Sequence, residues 1–235
     1  MTRKRRSSRR VTPTTAVPGA RSEPPPAVAT PAAPARLRRT LDVGLPILAA
    51  LAFLVAVLVL HPFRTYFEFD PDEGNNVIKA LMLSRGHALY SEIWNDQAPL
   101  FTYALRWWFA VFGATVNAGR ILVLLCSTVT IWGVYQITRI SWGHVHAWAA
   151  VVLLVLSPFY TVLSVSVMLG LPSLMWAVLS LLTLTYWCRQ GRTLWLVLSA
   201  LAMSLSVLTK LFTAFLVPIL AVGIVVAEWG RRRGT

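Results

Sequence analysis

From position 41 onward the chain is written in long apolar runs, each ended by a charge, a glycine or a proline. They cover residues 41–60, 119–138, 144–165, 167–187, 193–209 and 211–228, with a shorter run at 97–113. About 20 apolar residues in a helix cross a bilayer. The pattern therefore predicts an all-α polytopic membrane protein and excludes a water-soluble globular domain. The first run exceeds the ~7–15-residue core of a cleaved signal, and no small-x-small site precedes His61-Pro62. It reads as an uncleaved anchor. There is no Walker loop, no GxGxxG and no strand–helix alternation, so no nucleotide site is expected.

The short run at 97–113 decides the topology. If it crosses, Arg139, Arg189, Arg192 and the run Arg231-Arg232-Arg233 fall on the outer side. If it lies along the interface, all of them fall inside, with the basic N-terminal tail. The excess of Lys and Arg in cytoplasmic loops selects the second arrangement. Arg106 in the middle of the run and Trp107-Trp108 beside it suit the headgroup region. The expectation is about six transmembrane helices in the plasma membrane, with both termini cytoplasmic. Two interfacial helices fall in the first outer loop, one after Asp70 and one at 97–113. By region, this gives a tail over 1–40, a membrane domain over 41–230 with an outer loop at 61–96, and a cytoplasmic end at 231–235.

Charge changes this picture little. The chain has 22 Lys and Arg against 9 Asp and Glu, which invites a nucleic-acid reading. However, residues 1–40 alone hold ten of those basic residues and seven of the fourteen prolines. Such a segment buries too little to offset its ordering entropy and is expected to be disordered. Membrane orientation accounts for the charge, and no nucleic-acid partner is expected. The tail either touches anionic membrane lipids or only orients the first span. Cys126 and Cys188 lie in or at the end of apolar runs, so no disulfide framework is expected.

Six of the nine acids fall in 61–96: Glu68, Asp70, Asp72, Glu73, Glu92 and Asp96. Acids contribute little to orientation, so carboxylates gathered on one side of a membrane protein point to chemistry there. Phe69-Asp70-Pro71-Asp72-Glu73-Gly74 opens a helix expected to run to Arg85 and stop at Gly86, with Val77, Ile78, Leu81 and Met82 as its apolar face. Asp70 fits an N-cap, Pro71 the first helical position and Glu73 the reciprocal partner of a capping box. Asp72 has no such assignment. It is either a dipole-favoured, solvated acid or a general base. Further on, Pro99 suits the first turn of the interfacial helix, with Asp96 and Gln97 at its start; Asp96 reads first as an N-cap. Lys210 interrupts two apolar runs on the outer side, against the orientation rule. It either snorkels or meets an anionic partner such as a phosphate headgroup. His144 and His146 lack nearby Cys or acids in sequence and read as part of a polar turn.

An Asp-Glu pair just after the first span, a KPPL-x-x-Y-like turn and a later TK…P together resemble the GT-C superfamily of membrane glycosyltransferases. The nearest groups in pattern are the protein O-mannosyltransferases and the lipid A aminoarabinose transferases. The matching stretches are Pro71-Asp72-Glu73, Gln97-Ala98-Pro99-Leu100 with Tyr103, and Thr209-Lys210 with Pro218. The resemblance spans about residues 41–230.

The resemblance implies an inverting transfer of a hexose or pentose from a polyprenyl-phosphate donor to an acceptor hydroxyl on the outer face, the acceptor being unspecified. Asp72 is then the catalytic base with Glu73 in support, and Lys210, Gln97 and Tyr103 contact substrate. Asp96, with Asp72, falls where some relatives bind a divalent metal. The alternative is a non-catalytic membrane subunit that binds a polyprenyl-phosphate lipid; with so few charges inside the spans, a transporter is disfavoured. Three features depart from the family pattern. Gln97 replaces the usual lysine, Ala98 replaces the first proline, and Gly170-Leu171-Pro172 lacks the acid that often precedes the fourth span. Relatives are also longer, so the chain corresponds to an N-terminal half, with a second chain as one possible source of the remainder.

Overall fold

In a computed structural model, residues 35–67 and 69–234 are described. The expected disorder of 1–34 lies outside them. Residues 35–40, grouped above with the tail, belong to the first helix.

The helices are α1 (Ala35–Leu60), α2 (Pro71–Ser84), α3 (Leu100–Phe112), α4 (Val116–Trp142), α5 (His144–Val155), α6 (Pro158–Leu163), α7 (Gly170–Gln190), α8 (Thr193–Thr209) and α9 (Leu216–Gly234), with a 3-10 turn at Leu211–Phe215 before α9. The only pairing of strand type among the described residues is an isolated bridge between Leu89 and Ile93. The protein is all-α, as the hydrophobic pattern predicts.

Among the described residues, four helices are long and apolar enough to cross a membrane by themselves: Thr40–Leu60, Val116–Trp142, Gly170–Gln190 and Leu211–Arg233. The run at 144–165 is not one helix. Pro158 has no N–H to donate and excludes the residue before it from helical geometry. α5 therefore stops at Val155 and α6 restarts at Pro158.

Ionic contacts fix the two ends of the bundle. At one end Asp42 of α1 pairs with Arg139 of α4 at 2.6 Å and with His144 of α5 at 3.1 Å. There Arg189 donates to the Ile140 carbonyl and Arg231 to the Trp187 carbonyl. At the opposite end Arg120, near the start of α4, meets Glu73 of α2, the Phe63 carbonyl just after α1, and through Glu73 the Val167 amide before α7. Thus α1, α4, the broken pair α5–α6, α7, α8 and α9 each run from end to end. α3 does not. It starts after Gln97 and leads through Gly113 directly into α4, so both its ends lie at the Glu73–Arg120 end. Phe101, Thr102, Leu105 and Phe109 form its buried face, while Trp107 is exposed.

The helices pack closely where side chains are small. A Cβ on Gly133 would stand 2.5 Å from Val178 Cγ1, so α4 and α7 approach as near as a glycine permits. α7 and α8 are joined by reciprocal serine bonds: Ser180 Oγ donates to the Ser199 carbonyl and Ser199 Oγ to the Ser180 carbonyl, each at 2.9 Å. Ser206 Oγ of α8 donates to the Ser173 carbonyl at 2.8 Å. Such polar joints matter in a membrane, where burial of apolar surface does not itself drive helices together.

Candidate active site

The site is built on a buried ion pair. Arg120 and Glu73 each have 1% of their side-chain surface exposed. Arg120 Nε donates to Glu73 Oε1 at 2.9 Å and Nη2 to Oε2 at 2.6 Å. Nη1 donates to the carbonyls of Phe63 at 2.6 Å and Tyr66 at 2.8 Å, and Nη2 also to that of Phe67 at 3.3 Å. All five guanidinium N–H groups are thereby used. The Glu73 carboxylate additionally accepts from the Val167 amide at 2.9 Å and the Phe69 amide at 3.2 Å. Burial by itself would push the Glu73 carboxyl up. The Arg120 hydrogen bonds, the two backbone amides and the Arg120 charge outweigh that and hold it below the usual carboxylate range.

This arrangement corrects two expectations. Asp70 does cap α2, accepting from the Asp72 amide at 2.9 Å. Glu73 does not close the reciprocal box on Asp70; it accepts from Phe69 and turns inward to Arg120. The helix consequently buries Glu73, Asn76, Lys79, Ala80 and Leu83. The expected apolar face of Val77, Ile78, Leu81 and Met82 is only partly covered, and Ile78 is 56% exposed. A polar stripe can face inward because its groups are satisfied. Asn76 Nδ2 donates to the Val167 carbonyl at 2.9 Å, so Glu73 and Asn76 hold both polar groups of one peptide residue. Gly119 leaves room for this loop, since a Cβ there would meet Val167 Cγ2 at 2.9 Å.

With α2 and the 164–169 loop locked together, a cavity of about 340 Å³ opens beside them. It is lined by Asp72 and Lys79 of α2, Asp96 and Gln97 before α3, Met168 and Leu169 before α7, and Lys210 after α8, together with Asn75, Asn76 and Trp94. Asp72, Asp96, Gln97 and Lys210, picked out separately along the sequence, thus share one cavity. Two other candidates do not. Glu73 is not among the lining residues, and its carboxylate is engaged by Arg120 and by the Val167 and Phe69 amides. Tyr103 lies on α3, 39% exposed and outside the lining.

Inside the cavity, Asp72 is exposed and its amide is the group Asp70 caps. Lys210 closes α8; its carbonyl accepts from Thr213 N and Oγ1, and its ammonium forms no ion pair with the described residues. Asp96 accepts from Gln97 Nε2 at 3.0 Å. That bond, with a smaller contribution from Lys79 and a modest opposing effect of burial, holds its carboxyl below the usual carboxylate range.

Lys79 escaped the sequence reading. Its side chain is 6% exposed, its Nζ donates to Asn95 Oδ1 at 3.1 Å, and it lies 3.6 Å from Asp96 Oδ1 and over the Trp94 ring. The available signal was its spacing of three from Asn76 and six from Glu73, which sets three polar side chains on one face of the helix. Among the described residues no three His, Cys, Asp or Glu side chains gather to hold a metal. Asp96 already faces an ammonium and a side-chain amide, and two lysines line the same space. This donor set fits a divalent ion poorly, because the added charge would be repelled by cations already in place.

A family model described as dolichyl-phosphate-mannose-protein mannosyltransferase matches residues 96–234. The chain belongs to this family. Its members are membrane glycosyltransferases of GT-C type, a class that the all-α bundle fits. No curated protein and no solved structure matches the chain. The family match includes Asp96, Gln97 and Lys210 but starts after Asp72, whose place in the site rests on the shared cavity.

Proposed function

We propose that this mannosyltransferase-family protein transfers a sugar from a polyprenyl-phosphate donor to an acceptor hydroxyl at the outer membrane face. The observation that supports this most is that Asp72 and Lys210, distant in sequence, line one polar cavity. In the proposed step, Asp72 takes the proton of the acceptor hydroxyl as its oxygen attacks C1 of the sugar. The C1–O bond to phosphate breaks, the configuration at C1 inverts, and the polyprenyl phosphate leaves with the bonding pair. Lys210 neutralises the charge that develops on the leaving oxygen. Gln97 contributes an amide to the same wall. No metal takes part in this scheme.

The basic residues support the orientation. Arg139, Arg189 and Arg231 meet at the end of the bundle away from the cavity, and such residues favour the cytoplasmic side. The cavity then opens outward, where no nucleotide sugar is available and a lipid-linked donor is required. In membranes carrying a radiolabelled polyprenyl-phosphate sugar, Asp72→Asn is expected to fold as wild type and to reduce transfer by at least ~100-fold. Transfer at the wild-type rate would overturn the assignment. Loss of transfer with retained lipid binding in the wild type itself would favour the non-catalytic subunit.

A further inference from the structure

Among the described residues, Lys79 is the one cation that the family pattern leaves unassigned and the fold places in the site. The motif position that usually carries lysine holds Gln97 here, which is neutral. Gln97 and Lys79 nevertheless both bear on Asp96, one by a hydrogen bond at 3.0 Å and the other at 3.6 Å. An ammonium has three N–H groups. Asn95 Oδ1 takes one from Lys79, and the Asp96 contact is too long for a hydrogen bond. A lysine this buried is costly unless its remaining donors are met, and the space before it is the cavity shared with Lys210. Asn95, which fixes the ammonium, is itself anchored by donating from Nδ2 to the Gln97 carbonyl at 2.7 Å. α2 cannot rotate to withdraw the lysine, because Glu73 and Asn76 hold it to Val167.

We infer that Lys79 is a phosphate-binding residue, donating to the phosphoryl oxygens of the lipid-linked donor from the wall that Asp96 and Gln97 also form, while Lys210 donates from its own position in the lining. The two ammoniums form a clamp that takes over the role of the missing motif lysine. This rests on the reading of the site as one for a polyprenyl-phosphate donor, and it adds a residue to it. The clamp recognises the phosphate charge, carried by the donor and by the polyprenyl phosphate that leaves, rather than the isoprenoid.

The test is equilibrium binding of farnesyl phosphate to the full chain in lipid nanodiscs, with farnesol and inorganic phosphate as comparison ligands. Lys79→Gln is expected to weaken farnesyl phosphate by about 10- to 100-fold, the scale of a hydrogen bond to a charged group, and to leave farnesol unchanged. Wild-type affinity in Lys79→Gln overturns the assignment, as does equal weakening of farnesol, which would mark a collapsed cavity. Should Lys79→Gln show no cooperative unfolding, Lys79→Arg decides: it keeps the charge and must retain phosphate binding, and loss with an unchanged melting temperature overturns the role. Saturation by inorganic phosphate at the affinity of farnesyl phosphate would make the pair a free-anion site and sink the lipid assignment. If Lys210→Gln loses farnesyl phosphate while Lys79→Gln does not, only this inference fails. If the wild type does not distinguish farnesyl phosphate from farnesol, the donor reading fails with it.

Discussion

Replacing Glu73 by glutamine keeps the side chain's shape and removes the charge that Arg120 was buried to meet. The carboxylate accepts four hydrogen bonds, from Arg120 Nε and Nη2 and from the amides of Val167 and Phe69. A glutamine has one oxygen for these four donors, and its own NH2 must face one of them. Breaking a buried pair from one side costs about 3–5 kcal/mol, because the other charge is left desolvated. Arg120 retains the carbonyls of Phe63, Tyr66 and Phe67, which places the expected loss near the lower figure, about 3 kcal/mol. Denaturant unfolding in detergent micelles measures this, with Arg120→Met and the double variant completing a thermodynamic cycle. The coupling should be large, since the double variant no longer strands a charge. An Glu73→Gln protein within about 0.5 kcal/mol of wild type would refute the claim that this pair holds α2 to α4.

The same carboxylate sets a pH dependence. Its pKa in the folded protein lies below its unfolded value of about 4.3, so its contribution is complete above that pH and is lost as pH falls through the folded value. The stability gap between wild type and Glu73→Gln should therefore shrink on acidification below about pH 4, and a gap constant down to about pH 3 would contradict the lowered pKa. Gly133→Ala places a methyl 2.5 Å from Val178 Cγ1 and should cost about 1–3 kcal/mol by overpacking, with Val178→Ala restoring much of it; unchanged unfolding of the single variant would mean that α4 and α7 do not approach so closely. For orientation, Cys126 and Cys188 are first replaced by serine. A cysteine at position 192 should then resist a membrane-impermeant maleimide on intact cells, while one at position 75, in the cavity lining, should react; the reverse pattern would invert the topology.

Fold class was legible because hydrophobicity is a local property. An apolar run of bilayer length must be a helix wherever it lies, since lipid offers its backbone no other hydrogen-bond partner. The ends of the elements were less legible. α1 extends back to Ala35 and the 144–165 run splits at Pro158, where a proline within an apolar stretch leaves hydropathy unchanged but breaks the ladder. The side-chain chemistry of the acidic loop divided similarly. Asp70 could be read as a cap because its partner, the Asp72 amide, is two residues away. The partners of Glu73 could not, because Arg120 and Val167 are remote in sequence.

Residue types and spacing alone determined an α-helical membrane protein with carboxylates concentrated in one loop and a lysine out of place at 210. Tertiary structure alone decided which way α2 faces. Four hydrogen bonds to Glu73 and one from Asn76 outweigh the burial of Ile78, and that choice carries Lys79 into the cavity. The physical reason is that a buried polar group takes its energy from partners it meets only after folding, whereas an apolar one is stabilised by leaving water wherever it goes.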